Sequence, residues 1–192
     1  LARGALIKHC VETVDGFPNT LLAQAAREAG YRHLFLYRHD PRERLLSLVF
    51  AERSGIWGAR DAAQKAEDPE VFRRPLNIPW LVAHERQARE ALLESYHCLR
   101  ALGASIATAG FEDIFLAARR EDAAGKIREI LSVLGLEQTE EEDAAWIDRV
   151  LGGGDQGTRA RYHRFADRAA LAEALTALGP LALDETPAAA GN

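Results

Sequence analysis

The stretch HLFLYRHDPRERLLSLVFAERSGIW, residues 33–57, predicts a strand, a turn and a helix in direct succession. Leu34–Tyr37 is a short apolar run with aromatic residues, which is typical of a buried strand. Asp40 is a favourable N-cap residue, Pro41 suits the first helical position, and Glu43 completes a capping box. A strand that ends beside a helix N-terminus predicts an anion site, because the N–H groups and the dipole of the helix favour negative charge.

Two polar side chains of this stretch are candidate ligands for that anion. Arg38 directly follows the strand and offers the charged fork that suits phosphate. Ser47 lies in the predicted helix and offers a hydroxyl group. The alternative for Arg38 is an ion pair with Asp40 or Glu43, and the alternative for Ser47 is a hydrogen bond to a helix carbonyl.

This arrangement resembles the 3′-phosphate-binding element of sulfotransferases that use 3′-phosphoadenosine 5′-phosphosulfate (PAPS). In that family a strand ends in Arg, a Ser lies in the following helix, and both hold the 3′-phosphate. The resemblance implies these roles for Arg38 and Ser47, with PAPS as cofactor and 3′-phosphoadenosine 5′-phosphate as its product. The spacing from Arg38 to Pro41 and the continuation Gly55-Ile56-Trp57 are most similar to the trehalose 2-sulfotransferase-like branch.

Two later segments resemble the same family in the same order. Ala107–Ile114 is similar to the family's strand followed by Tyr-Glu-Asp-Leu, and Ile130–Leu136 resembles its Leu-Gly helix end. The resemblance covers most of Leu6–Leu136. It implies an α/β, P-loop-like three-layer fold with a mainly parallel sheet and helix excess, as one domain over residues 1–180 with a frayed tail over 181–192.

The family's 5′-phosphosulfate loop, a Lys/Arg-Ser-Gly-Thr-type cradle of backbone amides, does not occur in the sequence. The glycine-rich segment 152–157 follows a predicted helix and lacks the residue order of a P-loop. The chain contains no Met and opens on Leu1. We therefore expect the native start, and with it this loop, to lie upstream.

Sulfuryl transfer needs a base for the acceptor and positive charge for the leaving phosphate. Cytosolic sulfotransferases carry Lys-x-His at the end of a strand, and here Lys8-His9 lies in a strand predicted over Ala5–Val11. The resemblance implies His9 as base, with Lys8 as its catalytic partner. Neighbouring strand residues point to opposite faces, so only one of them lines a cleft. A histidine satisfied at the sheet end is the alternative, and Glu12 is a second candidate base.

Three other segments carry expectations from the resemblance. Many family members close a late basic loop over the 3′-phosphate, which implies Arg159 and Arg161 as further nucleotide ligands; a solvated charge run is the alternative. The irregular segment Gly55–Pro79 is expected to form part of the acceptor pocket. Glu112 and Asp113 are expected to be structural, as a cap for the next segment or as partners of arginines.

Hydrophobic periodicity and capping signals predict the remaining elements. They are a strand over Ser105–Ala109 and helices over Thr20–Ala29 (capped by Asn19), Trp80–Leu102, Glu121–Leu134, Thr139–Val150 and Asp167–Leu178.

Composition narrows the class of protein. The chain has 192 residues, of which 47% are hydrophobic and 28% are charged, as in an ordinary globular domain. The net charge of −5 argues against nucleic acid as the main partner, and no apolar run approaches a membrane span. The two cysteines lack a C-x-x-C spacing and predict free thiols in a reducing, cytoplasmic setting. No residue spacing indicates a metal site.

The sequence thus predicts a sulfotransferase that moves a sulfuryl group from PAPS to a hydroxyl group of a small-molecule or carbohydrate acceptor. Two alternatives stay open. One is a non-catalytic nucleotide-binding or scaffolding domain of the same fold, and the other is a small-molecule P-loop kinase, which would require Mg²⁺. The identity of the acceptor and the oligomeric state, a homodimer included, are not determined by the sequence.

Overall fold

The structure is a computed structural model that describes residues 6–11, 16–57, 61, 68–136, 139–153, 159–181 and 183. Its strands are β1 (His33–Tyr37) and β2 (Ile106–Gly110). Its helices are α1 (Gly16–Glu28), α2 (Pro41–Ser54), α3 (Glu70–Arg73), α4 (Ile78–Ala101), α5 (Phe111–Phe115), α6 (Arg120–Val133), α7 (Glu140–Gly153), a 3₁₀ helix (Arg159–Arg164) and α8 (Arg168–Thr176). The prediction of an α/β protein with excess helix is confirmed. None of the helices in these ranges is long and apolar enough to cross a membrane.

Within the described residues, the sheet consists of β1 and β2, which pair in parallel. The register runs from His33 opposite Ile106 to Tyr37 opposite Gly110, so both strands end at the same level. Parallel strands need a crossover connection, and α2, α3 and α4 supply it here. The residues that directly follow the two strands therefore meet at one edge of the sheet.

Each face of the sheet is covered differently. On one face, α6 packs over β2, where Ala107 and Ala109 join an apolar cluster with Ile127. On the opposite face, Phe35 of β1 lies edge-on against the buried ring of Tyr96 from α4, with 5.6 Å between the ring centroids. Thus α6 covers β2 on one face of the sheet, and the long α4 covers β1 on the other.

The main apolar cluster lies around α2. The buried face of this helix, which includes Leu45, Leu46, Val49 and Phe50, packs against α3, the 3₁₀ helix and α8. Asp40 caps α2 as predicted and accepts the N–H of Arg42 at 2.9 Å. The C-cap Gly55 adopts a φ of 67°, a left-handed conformation that favours glycine.

A buried carboxylate joins α2 to α4. Glu85 is only 3% exposed, and it pairs with Arg44 of α2 and with Arg89, whose Nε lies 2.6 Å away. Arg89 also donates to the carbonyls of Leu178 and Gly179 at the end of α8. A buried carboxylate requires such compensation, so this network fixes α2, α4 and α8 together.

Two predictions near the N-terminus are wrong. Residues 6–10 form no strand, and their side chains are exposed, because no neighbouring strand among the described residues pairs with them. Asn19 does not cap the first helix, since α1 begins at Gly16 and Asn19 lies inside it. Its side chain is buried and bonds to His9 and to the carbonyl of Val11, and so fastens this segment to α1 instead.

Three further segments refine the sequence-based description. The described part of Gly55–Pro79 includes the short helix α3 and the start of α4 at Ile78. The helix α7 continues through Gly153, into the predicted glycine-rich loop, and residues 154–158 lie outside the described ranges. Leu181 and Leu183, which the sequence assigned to a frayed tail, are both buried in a cluster with Tyr96.

Candidate functional site

Arg38 lies where the ends of the two strands meet. Its guanidinium carbon is 3.5 Å from the ring centroid of Phe111, which directly follows β2. Stacking uses the face of a guanidinium, whereas an anion binds to its N–H edge, so this contact positions Arg38 without using those N–H groups. The sequence predicted the location of Arg38 but not the aromatic platform beneath it.

The N-terminus of α2 is already occupied in part by a carboxylate of the chain itself. Asp40 accepts the backbone N–H of Arg42. Its two carboxylate oxygens also lie 2.8 and 2.6 Å from Nε of the same arginine. Although burial opposes it, this hydrogen bonding holds the pKa of Asp40 below its usual range. Pro41 has no N–H to offer. An anion at this edge would therefore depend on side chains more than on helix amides, which corrects the sequence-based description of the site.

His39 is the residue of this site that the sequence analysis missed. Its Nε2 lies 3.0 and 3.1 Å from the carboxylate oxygens of Asp113, and its Nδ1 lies 2.9 Å from the carbonyl oxygen of Leu181. Its backbone N–H donates to Glu112, and its carbonyl accepts the N–H of Leu181. Because both ring nitrogens face acceptors, His39 is placed to donate hydrogen bonds rather than to act as a base.

The Glu112-Asp113 pair has the structural role that was expected, with a different partner. Asp113 accepts the N–H of Gly110 at 3.0 Å and so caps α5. It pairs with His39 rather than with an arginine. Although burial lowers it, the pKa of His39 is raised on balance by its hydrogen bonds to Leu181 and Asp113 and by the charges of Asp113 and Glu112.

The close packing of His39 against Asp113 is possible because residue 110 is a glycine. A Cβ atom at this position would lie 2.3 Å from Nε2 of His39 and 2.8 Å from a carboxylate oxygen of Asp113. Both neighbours are pinned by hydrogen bonds, so neither can move aside at low cost. The absence of a side chain at the end of β2 is therefore a requirement of the His39–Asp113 pair.

A cleft of about 390 Å³ opens beside this edge. It is lined by residues from α2, α5, the 3₁₀ helix and α8, of both charges: Asp40, Arg42, Glu43, Leu46, Glu112, Leu116, Tyr162, His163, Arg168, Ala169 and Ala172. Of the residues that the structure describes within Gly55–Pro79, where the acceptor pocket was expected, none lines this cleft, and neither Arg38 nor Ser47 does. The mixed charge suits a polar organic molecule better than a bare ion.

The two predicted catalytic residues lie in the N-terminal segment. Lys8 is exposed, and the ring of His9 contacts Asn19 of α1. Neither residue lines the cleft. In the structure His9 is hydrogen-bonded to a neighbouring side chain, as the alternative interpretation of the sequence describes. Its partner belongs to a helix rather than to a sheet.

The late basic segment does approach α2. The 3₁₀ helix packs against α2, and the guanidinium carbon of Arg161 lies 5.6 Å from the ring centroid of Phe50. The side chain of Arg159 lies outside the described part of the chain. Ser47 lies half-buried in the middle of α2, one turn after Arg44. Ser47 and the 3₁₀ helix thus lie along α2, with Arg38 just before its N-terminus, whereas Lys8 and His9 lie in the segment that precedes α1.

Comparison of the chain with family models, with curated proteins and with solved structures found no match. Among the residues that the structure describes, no group of His, Cys, Asp or Glu side chains is arranged to hold a metal ion. The chemistry of the site is therefore argued from its own residues.

Proposed function

We propose that this chain is the nucleotide-binding part of a PAPS-dependent sulfotransferase, in which Arg38 and Ser47 hold the 3′-phosphate. One observation carries the proposal. Arg38 lies at the carboxyl end of a strand in a parallel sheet, stacked on Phe111 at 3.5 Å, immediately before a helix that contains Ser47. Ligands of α/β proteins bind at this edge of the sheet. The P-loop-like arrangement and a cytoplasmic location are part of the proposal.

The surroundings of Arg38 are compatible with a phosphate group. Three carboxylates of this region are each engaged by donors of the chain: Asp40 by Arg42, Asp113 by His39 and Glu112 by the His39 amide. Arg38 adds a further positive charge here, which together with Arg42 favours the ionised form of Asp40. The 3₁₀ helix brings Arg161 to α2, where a late basic loop would contact a nucleotide.

PAPS would supply an activated sulfuryl group, and the acceptor would be a small molecule or a carbohydrate. The cleft beside α2 is the best candidate for the acceptor site, because its paired acidic and basic residues can bond to several hydroxyl groups. A base for the acceptor hydroxyl is still required. Because His9 contacts Asn19 on α1, the non-catalytic alternative, a domain that binds the nucleotide without turnover, gains weight from the structure.

The test is a thermal-shift titration with 3′-phosphoadenosine 5′-phosphate, with ADP and ATP-Mg²⁺ as comparison ligands. We expect a saturable rise in Tm for the 3′-phosphorylated nucleotide only. Arg38→Ala should weaken its affinity about tenfold to a hundredfold, because a charge-assisted hydrogen bond contributes roughly 1.5–3 kcal/mol. The matched control is Arg86→Ala, an exposed arginine of α4, which should leave the affinity unchanged.

The other outcomes separate the alternatives. Binding without sulfuryl transfer from PAPS to any hydroxyl acceptor would indicate the non-catalytic domain. A Mg²⁺-dependent shift with ATP would favour the kinase. Equal affinity in Arg38→Ala and Arg86→Ala would remove Arg38 from the site and overturn the proposal.

A further inference from the structure

The C-terminal segment, residues 179–181 and 183, is hydrogen-bonded to the sheet edge through His39. Leu181 donates its N–H to the carbonyl of His39 at 3.2 Å, and the carbonyl of Leu181 lies 2.9 Å from Nδ1 of the same residue. On the other side of the ring, Nε2 faces both carboxylate oxygens of Asp113. One imidazole thus connects β1, α5 and the C-terminal segment.

We propose that His39 is a pH-sensitive clasp, which holds the C-terminal segment closed when its ring is protonated and loosens it when the proton is lost. The proposal does not depend on nucleotide binding. The pH would then determine whether this segment stays attached to the sheet edge.

The argument rests on the number of donors in the ring. A carbonyl and a carboxylate are acceptors only, and here they face the two different ring nitrogens. An imidazolium donates from both nitrogens, whereas a neutral imidazole donates from one and presents a lone pair at the other. Deprotonation therefore replaces one hydrogen bond with a contact between two acceptors, at Leu181 or at Asp113.

The charges around the ring favour the protonated form. Asp113 and Glu112 of α5 are both acidic, and Tyr37 of β1 presents its ring edge-on, with 5.0 Å between the ring centroids. On the α2 side, Arg42 is paired with Asp40, and Arg38 lies over Phe111. The described residues of the C-terminal segment contribute backbone groups and carry no ionisable side chain.

The direction of the effect follows from linkage. The pKa of His39 is raised in the folded chain, so its stabilisation is complete below the unfolded value of about 6.5 and is lost as the pH rises through the folded value. Burial lowers the pKa of His33, which lies at the opposite end of β1 from His39. Release would uncover the cluster that Leu181 and Leu183 form with Tyr96.

The experiment measures hydrogen exchange at the Leu181 amide in the full chain between pH 6 and pH 9, corrected for the intrinsic exchange rate. We expect the protection factor of this amide to fall about five- to tenfold across the titration of His39, as the loss of one charge-assisted bond on a partly exposed ring predicts. His39→Gln should show low protection at every pH. His97→Gln, which changes an exposed histidine of α4, should behave as the unmodified chain does.

A second variant keeps the test decisive if His39→Gln does not fold. Asp113→Asn retains an oxygen that can cap Gly110 but removes the negative charge, so the loss of protection should move to lower pH. The proposal is overturned if protection is independent of pH in the unmodified chain. It is also overturned if the pH dependence persists in His39→Gln or does not move in Asp113→Asn.

Discussion

The two strands of the sheet pair residue by residue, yet they differ in how they are covered. Four of the five residues of β2 are buried, whereas β1 alternates between half-buried and exposed positions. On the face that carries α6, Ala107 and Ala109 are 3% and 1% exposed, and their partners Leu34 and Leu36 are 38% and 65% exposed. Paired residues share a face of the sheet, so the same face is closed over one strand and open over the other.

On this face the strand with the smaller side chains is the one that is buried. The small alanines of β2 allow α6 to approach closely and to bury Ile127 against them. The larger leucines of β1 are more apolar, yet they remain partly exposed. A hydrophobic residue in a strand is therefore a weak indicator of burial in this protein, and a run of small residues is a better one.

The largest loss of stability is expected when a buried alanine of β2 is enlarged. Ala109→Leu adds three carbon atoms beneath α6, where the side chain is 1% exposed. We expect the free energy of unfolding to fall by about 3 kcal/mol, because overpacking forces the helix away from the sheet. Urea denaturation measures it as a lower midpoint at an unchanged m-value. A loss below about 0.5 kcal/mol, the range of surface substitutions, would show that α6 does not seal this face.

A smaller effect is expected where β2 ends. Gly110→Ala places a methyl group 2.3 Å from the His39 ring, so the ring must leave Asp113 or Leu181. We expect a loss of about 2 kcal/mol in the free energy of unfolding, again from urea denaturation.

The matched control for this change is Gly125→Ala in the middle of α6. A Cβ atom there meets nothing within 4 Å, so the change should stabilise the helix by about 0.5–1 kcal/mol. A double variant, His39→Ala with Gly110→Ala, identifies the cause, because removal of the ring should abolish most of the cost of the methyl group. Additive effects in this pair would contradict the proposed clash.

The smallest effect on stability is expected at Leu36, on the partly exposed face of β1. Leu36→Ser changes a side chain that is 65% exposed, so the free energy of unfolding should change by less than about 0.5 kcal/mol. The same measurement on Leu36→Ser and Ala109→Leu, which are partners in the register, then tests the comparison directly. A large loss in Leu36→Ser would mean that an element outside the described residues covers β1.

Local signals account for most of what the sequence predicted correctly. Asp40 and Pro41 start α2 as expected, because a cap and a first-turn proline act on adjacent backbone groups. The strand over Ala5–Val11 failed for the opposite reason, since an apolar run becomes a strand only where a neighbour pairs with it. The cap-like residue type of Asn19 predicts a helix start, whereas in the structure its amide bonds to the segment that precedes α1.

The centre of the candidate site could not be predicted in the same way. The positions of Arg38 and Ser47 follow from the strand–helix junction, but the stacking of Arg38 on Phe111 depends on which strand lies beside β1. The contacts of His39 reach residues 74 and 142 positions away along the chain. No local sequence pattern predicts contacts between residues so far apart. A histidine and a carboxylate that follow two adjacent parallel strands would nevertheless have indicated the His39–Asp113 pair.

The level ends of β1 and β2 have a consequence for how the chain folds. If the strands paired one residue out of register, every side chain of the shifted strand would change face, and Ala109 or Phe111 would take the place of Gly110 beneath His39. The bonds from His39 to Asp113 and Leu181 could then not close. The polar cluster therefore stabilises only a correctly paired sheet.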